Sequence, residues 1–224
     1  SSDLAIPATP TLSATPASAI SNLLVVLTDD VGAVTGAAVL SRQESRLHVV
    51  SIDPNVAIDL GDSGVTSLAT LVGQPSPGVV QAGVIQATGW QIDATIVMAR
   101  LAFAGLIDLV GGIDVVSDRE LLVGDPARPT AVHAGTSHLQ GASAADYAEY
   151  LAPGEPESAR IPRFIAVLRA ALEGLPVDAA ARDDVITALG SLTQTSIAPS
   201  EIGNFAASIN AANEWPTANL SNLA

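Results

Sequence analysis

Cysteine is absent from all 224 residues. That excludes a disulfide framework, a thiol nucleophile and a cysteine-liganded zinc centre. Lysine is absent too, so nine arginines stand against 23 acidic residues and the formal net charge is -14. A chain so poor in cations has no basic stripe for phosphate backbones, which argues against nucleic acid. It also lacks a general basic patch for an anionic membrane surface, although local basic pockets remain compatible with the composition. Aromatic residues amount to 3%, so the core has to be built from Ala, Val, Leu and Ile. No apolar run reaches the roughly 20 residues of a membrane span. The nearest, residues 101–116, is interrupted by Gly105, Asp108, Gly111, Gly112 and Asp114.

What is present is an apolar fraction of 48%, enough to bury one substantial core. Residues 1–20 are rich in Ser, Thr, Pro and Ala and read as a linker or stalk. With no positively charged start they do not read as a signal peptide. The domain is expected over 21–224. Leu23 to Leu27, Ala37 to Leu40 and Leu47 to Ile52 are apolar, β-branched runs that read as strands, the last two joined by the polar turn Ser41 to Arg46. Gly61 to Gly64 reads as a loop. Val65 to Val72 is expected to be a short helix stopped by Gly73 and the Pro75-Ser76-Pro77 break, and Val79 to Ala87 a helix ending near Gly89.

Ala94 to Met98 is expected as a strand, Leu101 to Val110 as a helix stopped by Gly111-Gly112, and Ile113 to Val116 as a strand again. This order points to an α/β layer fold with a mixed sheet. Residues 117–138 read as loop. Ala142 to Leu151 reads as a helix. Ser158 is expected to cap a helix running to Leu172, with Pro162 in its first turn and an apolar stripe of Ile161, Ile165, Leu168 and Leu172. Asp178 is expected to cap a helix to Leu189, and Ser200 to open another to Ile209.

Three phrases carry more than secondary structure. The first joins Ile92-Asp93 to Ile107-Asp108-Leu109-Val110-Gly111-Gly112-Ile113-Asp114-Val115. The second is Leu139, Gly141, Ala144, Tyr147 and Ala148; the third is Glu157, Arg160 and Arg163. Together they resemble the LytR-CpsA-Psr family, also called cell-envelope-related transcriptional attenuators, over residues 21 to about 210. The resemblance implies a three-layer α/β/α domain with a central mixed sheet, outside the cytoplasm in the bacterial cell envelope, with a membrane anchor upstream. It implies an apolar tunnel for a polyprenyl pyrophosphate lipid and transfer of its glycopolymer to the cell wall, with magnesium. Such chemistry needs arginines to neutralise the pyrophosphate and carboxylates to hold the metal or activate the acceptor.

The chain departs from that pattern where the charge matters. Glu149-Tyr150-Leu151 stands where the family has Arg-x-Arg, and Phe164 where it has glutamine after the second later arginine. Ser51-Ile52-Asp53-Pro54-Asn55 lacks the family's arginine, and Thr28-Asp29-Asp30 runs towards Gly32 without the early Arg-x-Asp-Thr phrase. A carboxylate in place of a cation beside a dianion turns an attraction of about 4 kcal/mol per close pair into repulsion. The resemblance therefore implies a divergent domain. It would bind a polyprenyl-linked or amphipathic ligand, or assist glycopolymer attachment, with little or no catalysis.

Arg160 and Arg163 are the candidate remnant of the pyrophosphate site; the alternative is that they pair with Glu155, Glu157 or Glu149. Asp29, Asp30 and Glu157 form a candidate acidic site, with solvated loop acids as the plainer reading. Asp108 and Asp114 read as architectural, and His48, His133 and His138 lack ligand spacing. Two rival functions stay open. An active phosphotransferase, which would use magnesium, requires other arginines such as Arg42, Arg46 or Arg100 to converge. A non-enzymatic domain for other envelope proteins requires that no apolar channel remain.

Overall fold

The computed structural model describes residues 20–44, 46–59, 64–71, 73, 75–210 and 216–219. The expected linker, apart from its last residue Ile20, lies outside the described residues, as does the Gly61 to Gly64 loop except for Gly64. The first half of the chain contributes β1 (Asn22–Thr28), β2 (Val34–Gln43), β3 (Arg46–Ile52), β4 (Ala57–Asp59), β5 (Val65–Ser67), α1 (Pro77–Thr88), β6 (Ala94–Ala99) and α2 (Arg100–Leu109). The second half contributes β7 (Ile113–Ser117), β8 (Leu121–Val123), β9 (Thr130–Val132), β10 (Gly135–Leu139), α3 (Gly141–Glu149), α4 (Arg160–Glu173), α5 (Ala179–Ala188), β11 (Thr193–Thr195), α6 (Pro199–Asn210) and β12 (Thr217–Asn219).

The central sheet has the order β11-β6-β1-β2-β3-β12. It is mixed: β1 runs parallel to β6 and β3 to β12, and the other pairs are antiparallel. The continuous apolar run of β1 follows from burial on both faces. Leu23, Val25 and Leu27 join the core beneath α2, α3, α4 and α6, while Leu24 and Val26 join the smaller core beneath α1. The three-layer α/β/α architecture is therefore present. On the larger side, Phe164 of α4 packs on Phe103 of α2 with ring centroids 6.2 Å apart, and a Cβ on Gly36 of β2 would lie 2.8 Å from the Phe164 ring.

Local signals account for many boundaries. α1 opens on Pro77 and closes at Gly89, whose φ of 71° is the left-handed cap that glycine adopts without strain. Asp178 accepts from Ala181 N at 2.9 Å and caps α5 as expected. Other expectations need correcting. The helix expected over Val65 to Val72 is not formed by its described residues: Val65–Ser67 pairs antiparallel with Ala57–Asp59 and a single 3-10 turn, Leu68–Thr70, follows, while Val72 lies outside the described residues. Residues 117–138 hold three short strands, because Leu121, Val123 and Val132 can bury their side chains only through non-local pairing. Ser158 caps nothing; it lies within a 3-10 turn, Glu157–Ala159, that leads into α4, and Pro162 leaves one fewer N–H to satisfy there. β7 follows α2 as expected but leaves the central sheet and pairs with β10.

Candidate functional site

β1 and β6 are adjacent and parallel, with Thr28 opposite Ala99. The residues that follow each strand therefore emerge together at one edge of the sheet, the edge where ligands bind in parallel α/β folds. After β1 come Asp29, Asp30 and Val31; after β6 comes Arg100. An open cleft of about 500 Å³ lies there, lined by these four residues with Gly124, Asp146, Glu149 and Tyr150.

Four carboxylates and a single guanidinium line this cleft. Arg100 bonds to Asp146 through Nη2 and to Glu149 through Nε, the latter at 3.2 Å. Asp146 and Glu149 sit three residues apart on α3 and so present their side chains on one helix face. Glu149 also accepts a hydrogen bond from Thr35 Oγ1 of β2 at 3.1 Å. Burial pushes the Glu149 carboxyl up to about 7, outweighing Arg100 and Thr35, and Asp29 and Asp30 push in the same direction. The Arg100 pKa is raised: burial opposes this, but Asp146 and Glu149 outweigh it.

Asp29 and Asp30 thus line the cleft, but Asp29 is committed to its own turn, where Oδ1 accepts from Val31 N at 3.0 Å and Ala33 N at 2.8 Å. Among the described residues, no three carboxylate or imidazole side chains are arranged to hold a metal ion.

Glu157 is not a cleft residue; it pairs with Arg160 at the entry to α4. Arg160 keeps its Nε buried with no hydrogen-bond partner. Arg163, one turn further on, binds Glu155 through Nη1 at 3.0 Å and Nη2 at 3.1 Å, donates Nη1 to Tyr150 O at 2.8 Å, and lies 5.3 Å from the centre of the Tyr150 ring. Of the spare arginines, Arg100 is at the cleft. Arg42 and Arg46 pair with Leu47 and Gln43 at the far end of the β2–β3 hairpin, beyond the Asn22 end of β1. In the phrase that lacks the family's arginine, Asn55 turns back on Asp53, whose Oδ1 accepts from Asn55 N at 2.8 Å.

Sequence reasoning missed Arg100, Asp146 and Glu149 as one cluster. The available signal was the pair of charged residues following two apolar strands, but it becomes a site only once those strands are known to be neighbours.

The motif residues Ile92 to Val115 and Leu139 to Ala148 are largely architectural. Asp93 Oδ2 accepts from Ser21 N and Asn22 N, each at 2.8 Å, and fixes the entry to β1. Asp108 Oδ1 accepts from Gly141 N at 2.7 Å and supports the start of α3. A Cβ at Gly141 would lie 2.1 Å from Ala104 O, so α3 can approach α2 this closely only through glycine.

Sheet, helix layers and cleft together define an α/β/α domain whose cleft, at the ends of β1 and β6, is acidic, its single arginine paired with Asp146 and Glu149. No family model and no curated protein sequence matches the chain. Solved structures do. TagV of B. subtilis is similar with a TM-score of 0.73 and 20% identity, covering 88% of this chain and 83% of that one. A LytR-Csp2A-Psr enzyme from Actinomyces oris is similar with a TM-score of 0.70 and 16% identity over 96% of this chain and 85% of that one. TagT bound to LI-WTA gives 0.70 and 14% over 88% and 77%. The chain therefore has the fold of the LytR-CpsA-Psr proteins, as the resemblance in its sequence implied. Among the described residues, no helix is long and apolar enough to cross a membrane.

Proposed function

We propose that this chain is a divergent cell-envelope domain that binds a polyprenyl-linked or other amphipathic ligand, or assists the attachment of a cell-wall glycopolymer, with little or no phosphotransfer of its own. The glycopolymer theme is supported by the fold shared with TagT, which was solved bound to LI-WTA. The observation that carries the non-catalytic reading is the charge of the cleft. Its single arginine is shared between Asp146 and Glu149, and Asp29 and Asp30 add further negative charge. A pyrophosphate brought here would meet net repulsion, whereas transfer needs preorganised cations around the developing charge. Residues 21–224 would form the functional domain, residues 1–20 its stalk, and an upstream anchor would hold it outside the cytoplasm. Arg160 and Arg163 remain the proposed remnant of the anion site, and Asp29, Asp30 and Glu157 the proposed acidic residues, of which Asp29 and Asp30 line the cleft and Glu157 pairs with Arg160.

The test is native mass spectrometry of the purified chain with a polyprenyl pyrophosphate, beside an assay for transfer of a glycopolymer from the same lipid to a wall acceptor. Binding without transfer is the expected result. Transfer at rates typical of an enzyme would sink the proposal in favour of an active phosphotransferase. Absence of both would leave a domain that acts on other envelope proteins.

A further inference from the structure

The carboxylate of Glu155 is held by an unusually complete set of donors. Oε2 accepts from Arg163 Nη1 at 3.0 Å, Arg163 Nη2 at 3.1 Å and Ala152 N at 3.0 Å. Oε1 accepts from Arg163 Nη2 at 3.1 Å and from Arg119 Nη2. The donors come from three places: the β7–β8 connection, α4 and the loop between α3 and α4. Side-chain exposure is 20% for Glu155 and 13% for Arg163, so this is no loose surface pair. These contacts pull the Glu155 carboxyl down to about 2, with the hydrogen bond from Arg163 the largest cause.

Most of this cradle does not depend on Glu155. Arg163 is fixed by Tyr150 O and by the Tyr150 ring. Ala152 N is presented by a turn in which Glu155 N bonds to Ala152 O at 3.0 Å, with Pro153 and a left-handed Gly154 (φ 84°) at its centre. The same turn folds the Glu155 side chain back over Ala152 N. Two guanidinium groups and one N–H thus face a single anion, and that anion is a side chain of the chain itself. Removing its charge would leave a local charge of +2, matched to a phosphate dianion, and planar guanidinium forks suit phosphate oxygens. Tyr150 lines the cleft, so this cradle adjoins it across one residue.

We propose that Glu155 is a built-in anion that closes a phosphate-binding cradle formed by Arg163, Arg119 and the Ala152 N–H, so that a phosphate or pyrophosphate group enters only when the 150–156 loop releases Glu155. This rests on the remnant anion site at Arg163 proposed above and adds to it the occupant, the second arginine and the means of closure.

The test compares the unaltered chain, Glu155→Ala and Glu155→Ala/Arg163→Ala, each titrated with inorganic pyrophosphate by calorimetry and melted with and without it at constant ionic strength. The expected result is binding to Glu155→Ala at least about tenfold tighter than to the unaltered chain, with a rise in its melting midpoint, and loss of both effects in the double variant. If Glu155→Ala folds too poorly, Glu155→Gln, which removes the charge at nearly the same shape, is used in its place. Equal binding to the unaltered chain and to Glu155→Ala, weakened by Arg163→Ala, would overturn the closure while leaving the remnant site standing. No binding to any form would overturn both.

Discussion

Glu149 Oε2 lies 3.2 Å from Arg100 Nε, a contact between the last residue of α3 and the first residue of α2. The carboxylate stands where the family resemblance calls for an arginine, and it neutralises the arginine that has come closest to taking over that role. Its side chain is only 18% exposed. The pair is therefore costly to desolvate and sensitive to protonation.

That sensitivity fixes the sign of a pH effect. The Glu149 pKa is raised from 4.5 to about 7 in the folded protein, so between those values the folded state binds the extra proton. Stability from this group is greatest at and below about pH 4.5, declines as pH rises towards 7, and is lower by about 3 kcal/mol above that. Glu149→Gln should flatten the slope of urea midpoint against pH between 5 and 7.5. Parallel slopes for the two proteins would rule the assignment out.

Glu155 behaves in the opposite sense. Its pKa is depressed to about 2, so its contribution is fully present above about pH 4.5 and is lost as pH falls through the folded value. Glu155→Gln should be less stable than the unaltered chain at pH 6, and the gap should close on acidification towards pH 2. A gap independent of pH would place its origin in packing, not charge.

The approach of α3 to α2 gives a steric prediction. Gly141→Ala would drive a methyl group to 2.1 Å from Ala104 O and displace a helix. The expected loss is about 3 kcal/mol, at the upper end for overpacking. Asp108→Ala, which removes the acceptor for Gly141 N, should cost about 1 kcal/mol. Chemical denaturation would measure both, and a Gly141→Ala chain as stable as the original would refute the close approach.

Phe164 replaces a polar residue of the family phrase and fills the core between α4 and β2. Phe164→Ala should cost roughly 3–5 kcal/mol. Gly36→Ala should also destabilise, because its methyl would meet the Phe164 ring at 2.8 Å. In the double variant the two losses should fall short of their sum, since the cavity left by one admits the methyl of the other. Strict additivity in a double-mutant cycle would contradict the contact.

Elements whose signals are local could be read from the residues alone. β1 and β6 were legible as apolar β-branched runs, α1 and α2 by their glycine stops at Gly89 and Gly111-Gly112, and α5 by the Asp178 cap. The family phrases were legible as residue patterns, although the jobs their residues do are non-local: Asp108 accepts from Gly141 N, 33 residues on, and Asp93 from Asn22 N, 71 residues back. The missing arginines were equally plain, since a charge that is absent needs no structure to be noticed. Everything that depends on pairing across the chain emerged only in the folded protein. β5 exists because β4 faces it, and β8 to β10 because each finds a partner. The cleft joins Asp29, Arg100, Asp146 and Glu149, with Thr35 and Glu149 separated by 114 residues in sequence. Composition tells how many charges there are, but the sheet order sets which of them meet, because it alone brings the ends of β1 and β6 to the same edge.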